Sequence, residues 1–178
     1  ISRQRAPIAQ DIYRQIGGKS LIVEQTRAQA EALEAALSDL GKVRVFTAMR
    51  HWHPRSDVTA VEVRGFAPDN IVLLPLYPQF STTTTKSSLI DWYRAAKNSG
   101  LLAPRVTSTA LCCYAMAEGF IAAQAELIAP LLSRAAAEGP VRVLLSAHGL
   151  PERIVKRGDP YVWQVEQTAR CIAERLAL

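Results

Sequence analysis

The stretch Asn70-Ile71-Val72-Leu73-Leu74-Pro75-Leu76-Tyr77 constrains the fold most. It is apolar almost without interruption, so neither side of an extended chain there is left for water. A strand buried on both faces belongs in a parallel sheet covered by helices. Three more runs read as strands: Val43 to Met49, Pro104 to Thr109, and Val141 to Ala147. Helical patterns lie between them, and that alternation predicts parallel βαβ units with right-handed crossovers. No repeat, low-complexity linker or composition break divides the chain, so residues 1–178 are expected to form one α/β domain.

The helices carry recognisable punctuation. Ile1 to Ile16 reads as a helix interrupted near Pro7 and ended by Gly17-Gly18. Ser20 caps a second, running to about Leu40 with Ala30, Leu33, Leu37 and Leu40 on one stripe. Ser56 is the expected N-cap of a short helix to Arg64, and another helix spans Ser87 to Asn98. A long Ala-rich helix from Tyr114 to Glu138 should kink or divide at Pro130. Asp159 at N-cap and Pro160 at N1 open the last helix.

Composition narrows the class. Apolar residues make up 49% and charged residues 21%, the balance of a water-soluble globular domain. No apolar run reaches the roughly 18 residues of a membrane span, and no signal peptide is visible. The chain starts at Ile1, already polar and helix-like, which reads as a processed chain or a fragment. The net charge of +5 is scattered, favouring acidic small partners or an anionic membrane surface over nucleic acid. Cys112, Cys113 and Cys171 have no Cys-x-x-Cys spacing and suit a reducing cytosol, with the neighbouring pair expected to be buried structural thiols.

Ligands of open α/β sheets bind beyond the carboxyl ends of the strands. Three loops should meet there. The first offers Arg50, His51, Trp52 and His53; the second Tyr77, Gln79 and the hydroxyl run Ser81 to Thr85; the third Ser146 and His148. Guanidinium, imidazole, hydroxyl and aromatic groups together suit a large, flat, acidic ligand. His148, where its strand ends, either is hydrogen-bonded at a sheet edge or binds a metal or carries a proton. A zinc site would need all three histidines to converge. The hydroxyl run is either an anion site or a capped, solvated helix start. No carboxylate stands beside His148 in sequence.

Four segments, in order, resemble the ferrochelatases, enzymes that insert ferrous iron into a porphyrin. They are Tyr13-Arg14-Gln15-Ile16-Gly17-Gly18 with Ser20, Met49-Arg50-His51 before Pro54, Leu76-Tyr77-Pro78-Gln79-Phe80-Ser81 with Thr84 to Ser88, and Leu145-Ser146-Ala147-His148-Gly149-Leu150-Pro151 with Arg157-Gly158-Asp159-Pro160-Tyr161. The resemblance implies a chelatase-like three-layer α/β/α fold, with a parallel sheet of four or more strands, as one of two similar halves around a porphyrin cleft. It implies that His148 is catalytic, as metal ligand or acceptor of porphyrin protons. It places Arg50 and His51 in the cleft and Arg5, Tyr13 and Ser20 near the porphyrin and its carboxylates. Tyr77, Gln79 and Ser146, from the converging loops, join the expected substrate contacts.

Lys19 and Leu21 depart from the Gly and Pro usual in the first motif. The family's opening strand and its second half, with the glutamate that faces the histidine, are expected to lie outside this chain. Some members hold a two-iron, two-sulfur cluster, but Cys112 and Cys113 do not make that pattern. Fe²⁺ is therefore expected as substrate, with no permanently bound cofactor. A cytoplasmic protein with peripheral contact at the inner membrane surface is the expected setting.

Overall fold

The structure, a computed structural model, describes residues 2–15, 17–102 and 104–178, with side chains from residue 6 onward. Helix α1 (Ser2–Gln15) and helix α2 (Ile22–Ala36) come first. A 3-10 turn at Ser38–Leu40 follows α2, so the second helix ends a turn before the expected Leu40. Helix α3 (Ser56–Phe66) leads into strand β1 (Asn70–Leu73). Helix α4 (Thr85–Asn98) then crosses to strand β2 (Thr107–Ala110). Helix α5 (Glu118–Ala136), a single turn α6 (Glu152–Val155) and helix α7 (Tyr161–Arg175) complete the described elements.

β1, α4 and β2 form a parallel βαβ unit, in register from Asn70 opposite Thr107 to Leu73 opposite Ala110. The backbone N–H groups of Thr107, to the Asp69 carbonyl, and Leu111, to the Leu73 carbonyl, extend the ladder at 2.9 Å each. β1 stops before Pro75, which has no N–H for the ladder. The expected α/β class holds, but among the described residues the sheet has two strands rather than four or more.

The two missing strands differ in cause. Along residues 43–48 the backbone groups are claimed locally. The Glu34 carboxylate accepts from the Val45 N–H (2.7 Å), the Gly41 carbonyl from the Val43 N–H (2.9 Å), and the Thr47 carbonyl from the Thr59 hydroxyl (2.8 Å). Among the described residues, Met49 alone makes a bridge there, to Arg55. Residues 141–147 meet no strand edge among the described residues, and Leu144 is 84% exposed. An apolar run is a strand only where another strand supplies partners for its backbone.

The core lies on one face of β1. Ala60 and Val63 of α3 and Trp92, Ala95 and Ala96 of α4 pack with Ile71 and Leu101, and Phe46, Leu73 and Val106 flank them. Gly100 makes that packing possible. At φ +74° it closes α4, and Leu101 turns back to donate to the Ala96 carbonyl (3.0 Å) and enter the core. The opposite face of β1 is open, with Val72 65% exposed, contrary to the expectation of a strand buried on both sides. A second contact joins α5 to α7, where Ile121, Ala125 and Ile172 are buried. α5 continues through Pro130 as one helix rather than dividing there.

Replacing Trp92 by alanine should lower unfolding free energy by about 3–5 kcal/mol, because the cavity lies between two helices and a strand. Leu131→Ala, at a position 57% exposed on α5, should change it by less than about 0.5 kcal/mol. Urea denaturation of the two variants measures the contrast.

Candidate active site

The loop of Arg50 to Arg55 is closed at its base. The Met49 N–H donates to the Pro54 carbonyl at 2.8 Å. This holds Arg50, His51, Trp52 and His53 on one short excursion, with the Trp52 and His53 rings edge to face at 5.8 Å. Arg50 is turned inward: its Nε donates to Ser87 Oγ of α4 (3.1 Å), and its Nη1 lies 3.8 Å from Asp91 Oδ1. The Ser56 hydroxyl, expected as a helix cap, sits inside α3 and donates to Asp91 Oδ2 (2.8 Å). Arg94 Nη2 donates to Asp91 Oδ1 at 2.5 Å. His51 is exposed.

The second loop resolves the choice left open for the hydroxyl run. It holds an anion, and the anion is the chain's own. Asp159 Oδ2 accepts from the Ser81 hydroxyl (3.0 Å), the Thr82 N–H (2.8 Å) and the Thr82 hydroxyl (2.6 Å). Its Oδ1 accepts from the Tyr161 N–H at 3.1 Å, the capping contact expected from sequence. Burial pushes the Asp159 carboxyl up, but the Thr82 hydroxyl and N–H, the Tyr161 N–H and the Ser81 hydroxyl together hold it below the ordinary carboxylate value. Gln164 of α7 accepts from the Phe80 N–H (2.6 Å), and the Gln79 amide donates to Thr168 Oγ1 (2.9 Å). The loop after β1 is thus laced to α7, while Tyr77 stays 43% exposed.

Tyr13 and Ser20 line one shallow hollow of about 460 Å³ with Gln10, Arg14, Gly18 and Lys19. The turn that brings them together is closed by the Gly18 N–H on the Tyr13 carbonyl (2.7 Å). The Arg5 side chain lies outside those described. Ser146 and His148 are exposed, and no hydrogen bond joins either of them to His51, Tyr13 or Ser20 among the described residues. Nor do three His, Cys, Asp or Glu side chains gather as a metal site among them, so the three histidines do not converge. Cys112, expected to be buried, is exposed, and the Cys113 thiol donates to its sulfur at 3.1 Å.

The Arg50 loop and the loop after β1 are thus each fixed by a buried carboxylate, Asp91 and Asp159, while the segment of Ser146 and His148 has no such tie among the described residues. Comparison with known proteins gives the arrangement its family. The family model for ferrochelatase matches residues 1–178. The chain belongs to the ferrochelatase family. It is 46% identical over 99% of its length to a ferrochelatase of Hyphomonas neptunium, covering 48% of that protein. A Phenylobacterium zucineum ferrochelatase is also 46% identical over 99% of the chain, with 50% of its own length matched. A ferrochelatase of a Wolbachia from Drosophila simulans is 44% identical over the whole chain, with 56% of its length matched. The chain spans about half the length of the curated ferrochelatases it matches.

Sequence reasoning missed Asp91, Gln164 and Thr168. Asp91 did carry a signal. It falls beside Trp92, Ala95 and Ala96 on the apolar side of α4, where a charge needs a partner. Gln164 and Thr168, one turn apart on α7, carried none.

Asp159→Ala would leave the Ser81 and Thr82 donors without their acceptor and should cost about 1–3 kcal/mol at neutral pH. The folded carboxyl titrates below its unfolded value, so its stabilisation is present above about pH 4 and lost as pH falls through the folded value. Urea midpoints of wild type and variant should accordingly lie apart at pH 7 and approach each other in acid.

Proposed function

We propose that the whole protein to which this chain belongs is a ferrochelatase that inserts Fe²⁺ into a porphyrin, either protoporphyrin or coproporphyrin, in haem synthesis. The observation carrying this reading is the family match along residues 1–178, with the His148 segment retained within it. His148 is exposed and makes no side-chain hydrogen bond among the described residues, which favours a working imidazole over a histidine fastened at a sheet edge.

The reaction releases two pyrrole protons as the metal gains its ring-nitrogen bonds, so charge is conserved when Fe²⁺ replaces 2 H⁺. His148 accepts a proton or ligates the entering ion; a neutral imidazole has one lone pair suited to either task. Arg50 and His51 line the cleft. Arg5, Tyr13 and Ser20 face the porphyrin and its carboxylates, and Tyr77, Gln79 and Ser146 complete the contacts. Only contacts stronger in the distorted macrocycle than in the relaxed one speed insertion. Iron is a substrate in this reading, and no resident cofactor or iron–sulfur cluster is assigned. No described helix is long and apolar enough to cross a membrane. We place the protein in the cytoplasm, with peripheral contact at an anionic membrane surface consistent with the +5 charge of this chain. In this reading the protein is a metal-inserting lyase without nucleic-acid partners.

One observation favours a second reading for the isolated chain. It spans about half of its relatives, and no carboxylate approaches His148 as part of a metal-binding cluster among the described residues. Alone it would then be a tetrapyrrole-binding module that does not turn over.

His148→Ala in the whole protein should reduce iron insertion by at least about a hundredfold, the lower range for removing a proton-transfer group, while porphyrin binding persists. Insertion at the wild-type rate would refute the assignment. Porphyrin absorbance titration of residues 1–178 alone, followed by an insertion assay, should give binding without turnover; turnover would refute the module reading.

A further inference from the structure

Asp91 is a carboxylate on a helix face otherwise given to the core, its side chain 7% exposed. Such a group remains charged only if surrounding donors replace water. Its partners, two hydrogen-bond donors and one further cation, come from three places. Arg94, one turn along the same helix, takes Oδ1; Ser56, the first residue of α3, takes Oδ2; and Arg50, the first residue of the preceding loop, brings Nη1 to 3.8 Å from Oδ1. Arg50 and Ser56 bracket the loop that carries His51, Trp52 and His53. One carboxylate therefore faces both ends of that loop, and Ser87, one turn before Asp91, fixes Arg50 Nε.

A simple pair with Arg94 would explain Asp91's charge but not this bracketing. Arg94 is 69% exposed and lies at i+3, the kind of partner a surface carboxylate finds on any helix. Arg50 differs. Its Nε and Nη1 face Ser87 and Asp91, its Nη2 has no protein partner among the described residues, and the side chain is 30% exposed. A planar guanidinium held at Nε and Nη1 keeps its remaining nitrogen, Nη2, in a set direction, and the complement of that charged N–H group is another carboxylate.

We infer that Asp91 is the positioning residue of the Arg50 loop, directing the open end of the Arg50 guanidinium at a carboxylate of the bound tetrapyrrole. This rests on the porphyrin reading given above. Asp91 touches no substrate itself; with Ser87, it determines where Arg50 does.

The test uses the whole protein, with a dicarboxylic porphyrin and its dimethyl ester as probes. Asp91→Asn keeps the shape and removes the charge. The dissociation constant for the diacid should rise about tenfold, the scale of one weakened charge-assisted hydrogen bond, and that for the ester should not change. KM should rise with it and kcat should not. The double variant with Arg50→Ala should bind the diacid no more weakly than Arg50→Ala alone. Arg94→Ala, which leaves Arg50 its anchor, should not reproduce the loss. Unchanged diacid affinity in Asp91→Asn, an equal loss for the ester, or a loss that adds to that of Arg50→Ala would each overturn the inference. If Asp91→Asn does not fold, Ser87→Ala must show the same loss for the diacid alone, and its failure to do so overturns the inference. A wild-type protein that binds neither probe sinks the porphyrin reading instead. The clamp is then judged without ligand, by the NMR signal of the Arg50 Nε–H: displacement in Asp91→Asn supports it, and an unmoved signal overturns it.

Discussion

The Asp159 carboxylate joins parts of the chain that nothing nearby in sequence would join. Its partners Ser81 and Thr82 stand 78 and 77 residues away, at the turn that feeds α4, while its other oxygen starts α7. A buried carboxylate is costly unless donors surround it, so the loop and the helix must arrive together. Once they do, Gln164 and Thr168 fall opposite Phe80 and Gln79 and continue the seam along α7. Since α7 also packs on α5, this seam ties the later helices to the βαβ unit.

The same physics recurs at the first loop. Asp91 gathers Arg50, Ser56 and Arg94 on the flank of the α3–α4 core, as Asp159 gathers hydroxyls at the start of α4. In both places an exposed, chemistry-bearing loop is anchored by a carboxylate held away from solvent. That division keeps the exposed groups, His51 in one loop and Tyr77 in the other, free of structural duty. His148 has no such anchor. Its segment is open along residues 141–147, next to none of the strand edges described.

Much of the fold was legible because its signals are local. Gly17-Gly18, Gly100 and Asp159-Pro160 mark ends and starts by backbone geometry alone, and the observed helices respect all three. The apolar run at Asn70 was correctly a parallel strand, but half as long, because Pro75 ends the ladder. The runs at Val43 and Val141 had the composition of strands without the neighbours. Ser56 shows the limit at the site: its position before a helix suggested a cap, and its hydroxyl turned to a carboxylate 35 residues on.

The sequence by itself determined the family, through four spaced motifs, and the alternation of helix and strand, because propensity, capping and turn chemistry act between near neighbours. It also determined which loops carry imidazole, guanidinium and hydroxyl groups. Only the tertiary structure decided that the Ser81–Thr82 hydroxyls answer Asp159, that Asp91 faces both ends of the Arg50 loop, and that two of four apolar runs pair as strands. Those outcomes depend on hydrogen-bond partners brought together across 35 to 78 residues, and a pairing over such a separation leaves no period or spacing in the chain from which to read it.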